Sequence, residues 1–186
     1  MTPGYETNLS AAGSRGQLDE FAAGRWQAAI DAGASLALLL IGVDDCRRYY
    51  DCYGPEAGDA LLRQVAQAVD RCRGRCLEPA ARLRDDELML LLPDPQAGRL
   101  RAAAERVLQA VRELEIPHRG STVANYVTVS VGAASCSPRG GDCPAAVVDA
   151  AAGALWAAKR RGGDRVEIRD LDALARQNFQ LRLAAG

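Results

Sequence analysis

The stretch from Leu36 to Arg71, LALLLIGVDDCRRYYDCYGPEAGDALLRQVAQAVDR, decides the fold. Leu36–Val43 is a continuous apolar run of strand length, just after the helix-stopping Gly33. A run that is apolar at nearly every position reads as a strand covered on both faces. Asp45–Tyr53 is polar and short, and reads as a helical turn. Gly54-Pro55 then punctuates the chain, and Pro55 suits a first helical position, where its missing N–H costs nothing. From about Glu56 to Arg73, Leu61, Leu62, Val65, Ala66 and Val69 fall on one helical face. A buried strand followed by amphipathic helices is the beginning of an α/β domain.

The same reading extends in both directions. Upstream, Leu18, Phe21, Ala22, Trp26 and Ile30 recur at three- and four-residue steps and predict a helix over 10–32. Downstream, short strands at Ala80–Arg84 and Leu88–Leu92 face each other across Asp85, Asp86 and Glu87, with Pro93 and Pro95 stopping the second. A helix follows over 96–114. Val127–Ala133 alternates Val127, Val129 and Val131 with Thr128, Ser130 and Gly132, which predicts a half-buried strand. Ser137–Asp142 reads as loop, Ala145–Arg161 as an alanine-rich helix, Arg165–Ile168 as a short strand and Asp170–Leu183 as a last helix. The order αβααββαβαβα describes one domain with a mixed sheet over 1–168 and a C-terminal helix or linker over 169–186.

Composition sets limits. The chain has 186 residues, 48% of them hydrophobic, enough for a sizeable core. A formal net charge of -1 and an aromatic content of 5% argue against a nucleic-acid binder. No signal peptide or membrane-spanning run is present in the sequence, so the six cysteines are expected as free thiols in a cytoplasmic protein. Cys72 and Cys76 lie one helical turn apart, but the only histidine is His118, so buried or surface thiols are favoured over a zinc site.

DDCRRYYDCYGPEAGD at 44–59 resembles a segment of the GGDEF family of bacterial diguanylate cyclases, D-x-D-x-F-K-x-x-N-D-x-Y-G-H-x-x-G-D. The likeness continues in register. LSAAGSR at 9–15 is similar to the family's L-T-G-L-x-N-R, ARLRDDEL at 81–88 to A-R-Y-G-G-D-E-F, VTVSVGAAS at 127–135 to V-T-V-S-I-G-V-A, and ALWAAKRRGGDRV at 154–166 to A-L-Y-x-A-K-x-x-G-R-N-x-V. The signature itself is altered: Arg84-Asp85-Asp86-Glu87-Leu88 stands in place of G-G-D-E-F. The resemblance implies a nucleotidyl-cyclase-like fold, a ferredoxin-like mixed sheet backed by helices (α/β, α+β).

The family joins two GTP molecules across a head-to-head dimer, chemistry that rests on positioning and on metal ions held by carboxylates. Position by position, the resemblance places Gly42 where a metal carboxylate belongs. Asp44 and Asp45 lie two and three places on, and are expected as a solvated helix start favoured by the dipole. Asp86 falls on the second metal carboxylate, with Glu87 beside it. Tyr50 replaces the guanine-binding asparagine and Asp59 keeps the aspartate, although Asp59 suits an ordinary early-helix carboxylate equally well. Lys159 keeps the phosphate lysine, although it also suits the ordinary basic end of a helix, and Gly163 replaces the arginine.

Asp86 and Glu87 are therefore vestigial catalytic residues, and Asp59 and Lys159 vestigial substrate contacts. No metal or cofactor is expected; magnesium enters only if the alternative, an active cyclase making cyclic di-GMP, holds. The family's inhibitory site, R-x-x-D, is better kept: Arg75 and Glu78 match it, and Arg106 falls at a supporting arginine. The expected function is a non-catalytic signalling domain, either a cyclic di-GMP receptor or a regulatory and dimerisation module. Its partners would be cyclic di-GMP, a second copy or another signalling domain. A scaffold that binds no nucleotide is the third reading.

Overall fold

A computed structural model describes residues 15–72, 78–84, 86–95 and 98–184. Eleven elements follow one another: α1 (Arg15–Ala32), β1 (Leu36–Val43), α2 (Cys46–Tyr53), α3 (Pro55–Arg71), β2 (Glu78–Arg84), β3 (Glu87–Pro93), α4 (Arg99–Arg112), β4 (Val129–Cys136), α5 (Pro144–Arg160), β5 (Val166–Asp170) and α6 (Leu171–Ala184). This is the order expected from the sequence. The strands form one sheet in the order β2-β3-β1-β4-β5. Neighbours are antiparallel except β4 and β5, which α5 joins as a parallel crossover. The first four strands, β1–β4, have the ferredoxin-like arrangement.

β1 is buried along its whole length because helices cover both faces of the sheet. Ala37, Leu39, Ile41 and Val43 point into one core with residues of α2, α3 and α4. Leu36, Leu38 and Leu40 point into a second, with Trp26 and Ala29 of α1 and Val147, Ala151 and Leu155 of α5. Of the face expected for the first helix, Trp26 is buried and Ile30 packs beside it; the side chains of Leu18, Phe21 and Ala22 lie outside the description.

Helix boundaries differ from expectation where the backbone turns. α4 begins at Arg99 because Gly98, at φ 83, stands at its N-cap. The short polar segment is a two-turn helix, Cys46–Tyr53, that ends at Gly54, φ 84, and α3 begins at the next residue, Pro55. β4 is not half-buried: Thr128 and Ser130 are 1% and 0% exposed. Its polar residues face a buried carboxylate rather than water, and at Gly132 any Cβ would overlap the backbone of Ala151 and Leu155 in α5. α6 is capped by Asp170, whose Oδ1 accepts from the Ala173 N–H at 3.0 Å. Leu171 packs on the second core and Leu174 is exposed. Among the described residues no helix is long and apolar enough to cross a membrane.

Candidate functional site

The candidate site is built where β1 ends. Asp44 is not a solvated helix start. It is 2% exposed, and its carboxylate accepts from Thr128 Oγ1 at 2.8 Å, Ser130 Oγ at 2.7 Å and the Asp164 N–H at 2.9 Å. A buried carboxylate persists only with such partners. Here they tie β1 to β4 and to the loop after α5. Arg112 of α4 secures that loop from the other side, its Nε donating to both Asp164 oxygens at 2.9 and 3.0 Å.

Asp45 is also committed to the fold. It adopts a left-handed backbone, φ 50, which aspartate tolerates. Its Oδ2 accepts from the N–H of Thr122 at 2.6 Å and from Thr122 Oγ1 at 2.8 Å. Burial raises its pKa, but the backbone and hydroxyl donors of Thr122, the Arg48 charge and the Ser121 hydroxyl together hold it below the ordinary 3.8. His118 Nε2 lies 3.2 Å from the Asp45 carbonyl oxygen. The segment 117–126, closed by a bridge between Pro117 and Tyr126, is thus the clasp of the β1–α2 turn. Sequence reasoning missed it. The one available signal was the hydroxyl pair Ser121-Thr122 after Gly120.

Gly42 shows what has become of the metal position. A Cβ there would lie 2.8 Å from Lys159 Nζ and 2.9 Å from its Cε. The ammonium donates to the Val43 carbonyl oxygen at 3.1 Å. Lys159 is therefore not a solvated helix-end lysine; it reaches back over β1 and seats a positive charge where a carboxylate would begin. The carboxylate nearest in sequence, Asp44, is committed to three donors of the fold. Among the described residues no group of three or more His, Cys, Asp or Glu could hold a metal. These residues do not fit the divalent ion that the resemblance implies.

Across the sheet, Gly42 is paired with Glu87, and the Val43 N–H donates to the Asp86 carbonyl oxygen at 3.3 Å. The β2–β3 turn therefore brings Asp86 and Glu87, both half-buried, to the exit of β1. Asp85 lies outside the described residues, and of Arg84 only the backbone, opposite Glu87, is described.

The α2–α3 corner holds Tyr50 and Asp59. The Tyr50 hydroxyl donates to Asp59 Oδ1 at 2.9 Å. The Tyr50 ring covers Gly58, where any Cβ would overlap it. Gly163 has φ +70, and a Cβ there would stand 3.1 Å from Asp44 Oδ2 and 2.9 Å from Val123 Cγ2. An arginine at this position would be strained and crowded, so its absence accompanies the packing of the Asp44 cluster.

Of the inhibitory-type residues, Arg75 lies outside the described residues, and only the backbone of Glu78, opposite Leu91 at the start of β2, is described. Arg106 is an exposed residue of α4. Its carbonyl oxygen accepts from Cys72 Sγ at 3.6 Å, so the middle of α4 stands beside the C-terminus of α3. Cys76 lies outside the described residues. The described cysteines, Cys46, Cys52, Cys72, Cys136 and Cys143, are free thiols.

The family profile described as "Diguanylate cyclase, GGDEF domain" matches residues 8–165. The chain belongs to the GGDEF family. Diguanylate cyclase A of Treponema denticola is 32% identical over 136 residues, covering 72% of this chain and 35% of its own length. The cyclic di-GMP phosphodiesterase PdeR of Escherichia coli is 31% identical over 127 residues, 68% of this chain and 18% of its own. The chain thus spans about a third or less of these curated relatives. Among solved structures, the GGDEF domain of DgcB from Caulobacter crescentus in complex with c-di-GMP superposes with TM-score 0.75 at 25% identity, over 90% of this chain and 98% of that one. The fold is that of GGDEF domains, and the domain belongs to cyclic di-GMP signalling.

Proposed function

We propose that this GGDEF domain is a non-catalytic, cytoplasmic signalling module that receives cyclic di-GMP or regulates a partner, rather than making the dinucleotide. The observation that carries the reading is the Lys159 ammonium beside Gly42. Joining two triphosphates requires concentrated positive charge on the phosphoryl group, usually divalent ions. One lysine, already bonded to a backbone carbonyl, is a weak replacement. Loss of the asparagine at Tyr50 and of the arginine at Gly163 removes base and phosphate contacts in the same direction.

Cyclic di-GMP is the favoured ligand because the inhibitory pattern Arg75, Glu78 and Arg106 needs no metal. Guanidinium groups bind phosphate in a forked geometry and stack on bases. The Cys72–Arg106 contact supports the grouping, since it sets α4 against the segment that leads to Arg75. The c-di-GMP complex of the DgcB domain supports the ligand class. A homodimer or another signalling domain is the expected partner.

Calorimetric titration with cyclic di-GMP and with GTP, beside a product assay in magnesium or manganese, tests the proposal. Saturable cyclic di-GMP binding without product is expected. Arg75→Ala should weaken binding by about ten- to a hundredfold, the loss of about one charge-assisted hydrogen bond. Turnover near ~1 per second would restore the cyclase reading, which the carboxylates Asp86 and Glu87 at the β1 exit otherwise favour.

A further inference from the structure

Three features meet at the α2–α3 corner. Gly58 provides a floor without a Cβ, and the ring of Tyr50 lies on it. The Asp59 carboxylate stands at the edge of that floor, with the Tyr50 hydroxyl on Oδ1 at 2.9 Å. A flat floor with an anionic acceptor at its rim is what a planar heterocycle with N–H donors would require. The phenol meets the same requirement: it is planar and presents one donor to the carboxylate.

We propose that Tyr50 is an internal occupant of a nucleobase slot, held on Gly58 and Asp59 so that a free guanine base is excluded. This rests on the reading of Asp59 as a base-binding carboxylate. Guanine is the base the slot would take: its N1–H and 2-amino group are adjacent donors that match two carboxylate oxygens. Adenine presents one donor beside an acceptor, which would face Asp59 unpaired.

The occupant is tethered nine residues from its partner, across the α2–α3 corner, whereas a free base must surrender translational freedom to bind. A slot filled nearly all the time reduces the apparent affinity of a competitor by the fraction of time it is open. The site is therefore closed rather than merely stripped of contacts. Removing the ring opens it even though the metal position is lost, because recognition of a base needs no cation.

The test uses GMP and AMP in EDTA, titrated by calorimetry into the whole chain and into Tyr50→Ala, Tyr50→Asn and Tyr50→Phe, with folding checked by circular dichroism. The parent should bind GMP more weakly than about 1 mM. Tyr50→Ala or Tyr50→Asn, whichever folds, should gain about tenfold or more for GMP and little for AMP. Tyr50→Phe keeps the ring on Gly58 and should stay closed. No gain in a folded Ala or Asn variant, or an equal gain in Tyr50→Phe, would overturn the proposal. Cyclic di-GMP titrated into the same proteins reads the receptor function separately: a GMP gain without any cyclic di-GMP binding leaves the slot standing and removes the receptor.

Discussion

Asp44 and Asp59 bound one segment of the chain and are held in opposite ways. Asp44 is buried, and its donors Thr128, Ser130 and the Asp164 N–H lie 84, 86 and 120 residues away in sequence. Asp59 is exposed, and its donor Tyr50 is nine residues away on the neighbouring helix. The first carboxylate closes long loops and fixes how β1, β4 and the loop after α5 meet. The second holds a local partner whose hydroxyl water can replace. Acidity at the exit of β1 therefore serves the architecture, whereas acidity at the α2–α3 corner serves one local contact, that with the Tyr50 hydroxyl.

The comparison breaks most sharply at Asp44. Asp44→Ala leaves two buried hydroxyls and a backbone N–H unpaired, each costing about 1–3 kcal/mol. Reduced by local rearrangement, the loss in urea unfolding should be about 3–5 kcal/mol, at the upper end for single substitutions. Asp59→Ala should cost well under ~1 kcal/mol, as exposed pairs do. Similar losses at the two positions would abolish the distinction.

Asp45 gives the next effect and a pH signature. Asp45→Asn keeps the left-handed backbone tolerable and one acceptor for Thr122, and should cost about 1–2 kcal/mol at neutral pH. Because the folded-state pKa lies below the ordinary 3.8, the charge stabilises the fold above that value. That contribution is lost as pH falls through the lowered pKa. The difference between parent and variant, followed by thermal unfolding from pH 7 downward, should narrow only below about pH 4. A difference that is flat across that range would mean that the charge is not what holds the clasp.

Most of the fold could be read from the sequence because it rests on local signals. The apolar run of β1, Gly33 and Gly54 at helix ends and the helical spacing of Leu61, Val65 and Val69 each act within a few residues. The Asp44 cluster could not be read in this way. Thr128 and Ser130 alternate with valines, a pattern that ordinarily means water on one face; only the distant carboxylate explains why hydroxyls are buried there. The clasp at 117–126 is hidden for the same reason, since Thr122 meets Asp45 across 77 residues. At the site, the resemblance identified the positions that matter, but not that Lys159 fills the space at Gly42 or that Tyr50 fills the one at Gly58.

Gly42→Asp sharpens the comparison from the metal side. The new carboxylate would arrive beside the Lys159 ammonium, whose flexible end can shift to receive it. An internal ion pair is expected, changing stability by about 1 kcal/mol or less. Thermal melts with and without millimolar magnesium should coincide. A magnesium-dependent rise in Tm would show that a carboxylate at position 42 recruits a divalent ion in spite of Lys159, and that the metal site is one substitution from recovery.

The smallest expected effect is at Tyr50. Tyr50→Phe removes a single hydroxyl from a partly solvated hydrogen bond, and water can take its place on Asp59 Oδ1. The ring stays on Gly58 and keeps its apolar contacts with the first core. Unfolding should therefore change by about 0.5 kcal/mol, the low end for a replaceable hydrogen bond. A double-mutant cycle with Asp59→Asn isolates the pair and should return a coupling of the same size. Closure of the corner then rests on the ring over Gly58 and not on this bond: a coupling above ~2 kcal/mol would exceed what exposed charge-assisted pairs usually give. It would make Tyr50–Asp59 as structural as the Asp44 cluster, and would mean that the hydroxyl as well as the ring closes the corner.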